Sequence, residues 1–113
     1  MTYRVQLTKR AEQDIERNAQ WWAQHYSVSQ AIKWFDTIHS QLQELANFPE
    51  SHAALRESSE FPYLIRNKFV GFGQKPSYRA IFTVREDVVF VLSVRRFAQD
   101  RLRPDEVHLP GSD

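Results

Sequence analysis

The stretch from Tyr78 to Arg96 constrains the fold of this chain more than any other. It reads Tyr78-Arg79-Ala80-Ile81-Phe82-Thr83-Val84, then Arg85-Glu86-Asp87, then Val88-Val89-Phe90-Val91-Leu92-Ser93-Val94 and Arg95-Arg96. Two runs of β-branched and aromatic residues around a short charged segment predict a β-hairpin. Three residues remain for the turn between Val84 and Val88, and Asp87 suits a turn position. One arginine lies at the start of the first strand and two close the second. An antiparallel hairpin makes those two ends neighbours. Arg79, Arg95 and Arg96 are therefore expected to cluster, and guanidiniums on a rigid sheet suit a phosphate or carboxylate.

The rest of the chain supplies elements for that hairpin to pack against. Residues 3–7 alternate apolar and polar side chains, as a half-buried strand does. Thr8 is placed to cap a helix over 8–24, in which Ala11, Ile15, Ala19 and Trp22 share a face. Ser27 or Ser29 is placed to cap a second helix over 29–47, with Ala31, Phe35, Ile38, Leu42 and Leu45 as its apolar stripe and Pro49 beyond its end. Residues 48–64 read as a surface connection with a helical turn around Ala53–Arg56. Residues 65–72 read as a strand, 73–77 as a Gly- and Pro-containing loop, Pro104–Val107 as the start of a short helix and Pro110–Asp113 as a frayed tail. The expected architecture is α+β: an N-terminal strand, a helical hairpin and a three-stranded antiparallel sheet, with the helices on one face. Phe35, Ile38, Phe82 and Leu92 are expected to share one core. At 113 residues this is a single domain, 1–113, with its core over about 3–103.

Composition removes several chemistries. There is no cysteine, so there is no disulfide, thiol nucleophile or thiolate metal site. The four histidines match no metal-ligand spacing, and no Gly-rich phosphate loop or Gly-x-Ser-x-Gly elbow occurs. No cofactor or metal is expected. No apolar run approaches the roughly 18 residues of a membrane span, and the N-terminus lacks an apolar signal core, so a cytoplasmic location and no membrane partner are expected. The net charge of +1 hides an asymmetry. Residues 66–103 hold nine Lys or Arg against three acids, residues 1–65 hold six against eight, and residues 104–113 hold three acids and no base. A basic sheet end points to an anionic partner.

Here the residues become recognisable. "LTKRAEQDI" at residues 7–15 resembles the opening helix of the RelE/ParE toxin superfamily. "YRAIFTV" followed by "VVFVLSVRR" is similar to that family's YRxxY strand and its last strand ending in basic residues. The resemblance covers about residues 3–103. It implies the toxin of a type II toxin–antitoxin pair, silenced by a cognate protein antitoxin. RelE-like members cut mRNA in the ribosomal A site, whereas ParE-like members inhibit DNA gyrase. Arg79 falls at the family's strand arginine. Arg95 and Arg96 lie near the nuclease's second arginine, at or beside Phe97. The nuclease's late tyrosine has no counterpart, since Tyr78 is the last tyrosine, and Lys68 and Lys75 match its lysine pair loosely.

RNA cleavage needs an activated 2′-hydroxyl, a stabilised pentavalent phosphate and a protonated 5′ oxygen. Arginines can do the second task. The others need a proton carrier. No histidine lies in the basic hairpin, and Lys68, Lys75, Tyr78 and Asp100 have equal claim. The expected function is thus a ParE-like toxin acting on gyrase, with a RelE-like nuclease and a non-toxic basic binding domain as alternatives. Arg79, Arg95 and Arg96 are the candidate catalytic residues of the nuclease reading. Arg66, Lys68, Lys75 and Arg101 are candidates for target binding. Trp21 and Trp34 lie off the helix stripes, so both are expected to be partly exposed and to anchor the antitoxin, while an acidic tail of the antitoxin meets the basic end. An ion pair of Arg79 with Glu86 or Asp100 is the bland alternative for that arginine.

Overall fold

The computed structural model describes residues 2–99 and 101–109, so Asp100 and the tail at 110–113 lie outside the described residues. The elements run β1 (Arg4–Leu7), α1 (Lys9–His25), α2 (Val28–Gln43), β2 (Arg66–Val70), β3 (Tyr78–Arg85) and β4 (Val88–Arg96), with 3-10 turns at Glu44–Ala46, Pro49–Ser51, Arg56–Glu60 and Pro104–Glu106. One mixed sheet of four strands has the order β1-β4-β3-β2. β1 pairs parallel with β4, Val5 opposite Val89, and the other pairs are antiparallel. The architecture is α+β as expected, with the N-terminal strand joined to the sheet. The first of the 3-10 turns ends at the residue before Asn47, close to the expected end of the second helix. The turn expected around Ala53–Arg56 forms instead at Arg56–Glu60, because Ala54 bridges to Arg66 and continues the sheet edge.

Both helices start where their caps place them. The Ala11 amide donates to the Thr8 hydroxyl at 3.2 Å and the Gln30 amide to the Ser27 hydroxyl at 3.0 Å, each satisfying an amide the helix leaves unpaired. The buried face of α2 is Ala31, Trp34, Ile38 and Leu42, continued by Leu45 of the 3-10 turn after it. Here the sequence expectation is corrected. Trp34 is 0% exposed and packs its ring 5.1 Å from that of Tyr78, while Phe35 is 41% exposed. Adjacent helical residues lie about 100° apart, so either ring completes the same stripe. The sheet selects Trp34, the larger apolar surface. Trp34 therefore presents nothing to an antitoxin. Its Nε1 is buried and lacks a partner among the described residues.

The sheet is covered on both faces, which is why β4 is apolar almost throughout. Against the helices lie Val70, Tyr78, Ala80, Phe82, Val89, Val91 and Val94. On the other face Ile81, Val88, Phe90 and Leu92 pack with Phe61, Ile65, Leu102, Val107 and Leu109. Phe82 and Ile38 share the helix-side core, but Leu92 belongs to the opposite one. The reason is register: the hairpin sets Phe82 opposite Val91, so Leu92, the next residue, points to the other face. A bulge follows, with Ile81 pairing Ser93, and shifts the alternation so that Val94 returns to the helix side. The hairpin turn is also tighter than expected. Arg85 pairs with Val88, so only Glu86 and Asp87 lie between the strands, and Glu86 takes the left-handed conformation at φ 54°.

β1 covers the β4 edge only as far as Val91. Beyond it α1 takes over. Thr8 donates its amide to the Val91 carbonyl and its hydroxyl to that of Leu92. The Asp14 carboxylate, 2% exposed as a residue, accepts from the Val94 amide at 3.2 Å and from the Ser93 hydroxyl. Its other oxygen accepts from Arg10 Nε at 3.0 Å. Arg10 and Arg95 both reach Glu106 Oε1, at 3.2 and 3.1 Å. A chain of charges thus ties α1 to β4 and β4 to the C-terminal cover. Burial disfavours the ionised Glu106. The Arg103 amide, the hydrogen bond and charge of Arg95 and the charge of Arg10 outweigh that and hold its pKa below the usual carboxylate value.

Asp14→Ala leaves a buried amide and a buried cation network without their acceptor. It should destabilise the fold by roughly 3 kcal/mol, read as a lower urea midpoint with an unchanged slope, while exposed Gln13→Ala should shift the midpoint little. A second expectation concerns acid. A depressed carboxylate pKa contributes stability above the unfolded value, and that stability is lost as pH falls through the folded value. Stability should therefore fall below about pH 4.3, and Glu106→Gln should show a lower plateau and a shallower acid limb. Urea midpoints between pH 3 and 7 for both proteins check this.

Candidate functional site

The hairpin brings the three arginines to one end of the sheet, as expected, but gives them three different environments. Arg79 pairs in register with Arg95, and Tyr78 with Arg96. Side chains alternate along a strand, so Arg79 and Arg95 share the face away from the helices and Arg96 lies with Tyr78 on the helix side. Arg95 is 2% exposed. Its Nε donates to the Ser93 hydroxyl at 3.0 Å and its Nη2 to Glu106. The expectation of Arg95 as an open anion clamp is therefore corrected: it is a buried tie between β4 and the C-terminal segment. Glu106 is eleven residues away. Only the folded chain brings it back.

Arg79 is different. It is half-buried, flanked in register by Phe69 of β2 and Arg95 of β4. Its Nε is buried and has no hydrogen-bond partner among the described residues. Glu86 does not pair with it. Seven residues of extended strand separate the two by about 23 Å. Asp100, the other suggested partner, lies outside the described residues. Phe69 and Phe97, 57% and 51% exposed, touch at 5.0 Å between ring centroids beside this position.

Arg96 stacks. Its guanidinium carbon lies 3.9 Å above the Trp21 ring centroid and its Nε donates to the Tyr78 hydroxyl at 3.3 Å. His25 stacks on the same indole at 4.3 Å and 19°. Two groups so close to one centroid occupy opposite faces of the ring. Trp22 donates its Nε1 to the Tyr78 hydroxyl at 3.2 Å and stacks on Tyr26 at 4.8 Å. Trp21, Trp22, Tyr26, Tyr78 and Arg96, with Ser77, Phe97 and Ala98, wall an open cleft of about 370 Å³. Trp21 is half-exposed, as expected. The link between the end of α1 and the end of β4 is not legible in the sequence, although Trp21, Trp22, His25 and Tyr26 all fall in the last turn of α1 and its cap.

The remaining cations divide in the same way. Arg66 donates to the His52 carbonyl at 2.7 Å, Lys68 pairs with Glu44 at 3.0 Å and Arg101 with Glu60 at 2.9 Å. Lys75 stands exposed in the loop before β3. Among the described residues Arg79, Arg96 and Lys75 have no carboxylate partner, so the anion-attracting end is narrower than the sequence suggests. Of the possible proton carriers, Tyr78 is 2% exposed with its hydroxyl held by Trp22 and Arg96. Lys68 is held by Glu44. His52 lies against Phe82, and burial, then the charges of Lys68 and Arg66, lower its pKa. Among the described residues no three His, Asp or Glu side chains converge as metal ligands, and no helix is long and apolar enough to cross a membrane.

These environments predict different costs of removal. Arg95→Ala empties a buried position and takes one of two cations from partly buried Glu106, and should cost about 3 kcal/mol. Arg96→Ala forfeits a stacked cation, about 1 kcal/mol. Arg79→Ala gives up no ion pair among the described residues and should change stability least. Thermal melts of the three variants, side by side, test this order.

The solved structure described as the chromosomal ParDE TA system from P. aeruginosa shares the fold, with a TM-score of 0.68 at 20% sequence identity over 84% of this chain and 96% of that one. No curated protein matches the sequence closely enough to count as a relative. The family whose sequence pattern matches, over residues 5–101, is described as the ParE toxin of type II toxin-antitoxin system, parDE. That span takes in β1, both helices, the sheet and every arginine of the site, and the chain belongs to the ParE toxin family of the RelE/ParE superfamily.

Proposed function

We propose that this chain is the growth-inhibiting toxin of a type II toxin–antitoxin module, kept silent in the cytoplasm by a cognate protein antitoxin, and that it acts by binding DNA gyrase rather than by cutting RNA. Family membership supports the toxin role. The observation that carries the choice of target is the company the free cations keep. Arg79 and Arg96 stand beside exposed Phe69, Phe97 and Tyr26. Of the residues that could carry a proton, Tyr78 is buried and Lys68 is paired with Glu44, while Lys75 and His25 stand at the site without being directed at either arginine's open face by any hydrogen bond among the described residues. Arginines among exposed aromatics are what protein interfaces concentrate, and an inhibitor that binds needs no general base.

The antitoxin reading moves with the corrected exposures. Val28, Ile32 and Phe35 repeat at helical spacing on the outer side of α2, 66%, 57% and 41% exposed. Phe35 and His39 line an open groove of about 530 Å³ with Leu7 and Ile15, bordered by Glu12 and Glu16. An amphipathic antitoxin helix fits that groove by its apolar face. This stripe takes the place of Trp34.

Expression of the parent chain should arrest growth, and purified chain should inhibit gyrase supercoiling while leaving translated mRNA intact. Arg79→Ala should lose at least about tenfold in inhibition with its melting temperature nearly unchanged. Cleavage of mRNA without effect on gyrase would move the chain to the nuclease branch. For the antitoxin, affinity across a salt series should fall with ionic strength in the parent. The slope should flatten in Arg79→Glu/Arg96→Glu, since exposed charges are screened beyond about 8–10 Å. Arg95 is left in place because its reversal would unfold the protein. An unchanged slope would place the antitoxin away from the basic end.

A further inference from the structure

The cleft between the last turn of α1 and the end of β4 is not explained by packing. Tyr26 and Phe97, 64% and 51% exposed, stand together around it with half-exposed Trp21, an exposed aromatic group rather than a single ring. We propose that this cleft is the docking site for an acidic segment of the toxin's protein target, an apolar side chain entering between Trp22 and Phe97 and a neighbouring carboxylate meeting Arg96. The proposal rests on the reading of the chain as a toxin that binds a protein.

Three features choose this occupant. The first is charge. Arg96 uses its Nε on Tyr78, and its terminal nitrogens make no hydrogen bond or ion pair among the described residues. Stacking on Trp21 holds the guanidinium in place, and its two terminal nitrogens suit a bidentate carboxylate. Lys75 stands two residues before Ser77 of the cleft wall and carries the same sign. The second is shape: about 370 Å³ of mostly apolar space suits a large side chain. The third is the state of the rings. Trp21 has His25 on one face and Arg96 on the other, and Trp22 has Tyr26 stacked on it and the Phe72 edge against it at 5.3 Å. Single-stranded nucleic acid binds by laying bases on open aromatic faces. Both indoles of the cleft are already engaged by neighbouring rings or Arg96, so the space left beside them suits a side chain. The turn that presents Phe97 is fixed by its neighbours: the Arg96 amide donates to Gln99 Oε1 at 3.0 Å and the Phe97 amide to the Ser77 carbonyl at 3.2 Å. Trp, Tyr and Arg are also the residues in which binding energy concentrates.

The test compares the full-length parent with Arg96→Gln and Trp21→Ala, each verified folded by its melt, and with Arg56→Ala on an exposed site elsewhere. Binding to intact gyrase should weaken about tenfold or more in the first two variants and stay unchanged in the third. Folded variants that bind gyrase as the parent does would overturn the docking site while leaving the gyrase reading standing. If the parent itself does not bind gyrase, that reading falls, and the cleft is judged by a second probe. A blocked hexapeptide of two Asp, two Glu, one Leu and one Phe is titrated into labelled protein, with the Trp21 indole resonance followed. A shift that Arg96→Gln abolishes upholds the cleft as an acidic-peptide site. No shift, or a shift produced instead by oligothymidylate, overturns it.

Discussion

The rest of the structure hangs on one buried carboxylate. Asp14 sits where the β1 ladder stops and the β4 edge would otherwise face a helix with an unpaired amide. A side-chain oxygen there does what a neighbouring strand would do: it accepts from the Val94 amide, and it accepts from Ser93 as well. A bare carboxylate in that position would be costly, so its charge must be answered nearby. Arg10 answers it from one helical turn earlier. Arg10 in turn shares Glu106 with Arg95, so the charge that closes the sheet edge also pins the C-terminal segment over the second core. Removing a member takes a partner from its neighbours, which makes the set cooperative.

That network has a consequence for the site. It consumes Arg95 and leaves Arg79 and Arg96, one on each side of the sheet. A cluster of three cations in sequence becomes two separated cations in space, each seated among aromatic side chains. The geometry suits recognition of an acidic protein surface better than a clamp on one phosphate, because the two guanidiniums do not converge on a common point. Arg66, Lys68 and Arg101 are drawn off in the same way by a carbonyl and two glutamates.

The two faces of the molecule divide the work between them. The outer side of α2 is an apolar stripe beside acidic residues of α1, while the cleft at the sheet end is aromatic and basic. Surfaces so different in chemistry suit different partners. On this reading an antitoxin helix lies along α2, while its acidic tail and the target both meet the basic sheet end and compete there.

The sequence by itself determined the element order, the helix caps, the hairpin and the membership of its arginines at one sheet end. Each of these is local: Thr8 and Ser27 act on amides within three residues, and β-branched runs form strands whatever lies beyond them. What it left open was decided by tertiary contact. Trp34 and Phe35 compete for one stripe, and only the sheet beneath chooses between them. Leu92 lies in the second core because the two-residue turn sets Phe82 opposite Val91, whereas a turn one residue longer would have put Phe82 and Leu92 on one face. Arg95 and Arg96 are adjacent and chemically identical in sequence. One is buried against Glu106 and the other stacked on Trp21, since successive side chains of a strand point to opposite faces and each face meets a segment distant in the chain.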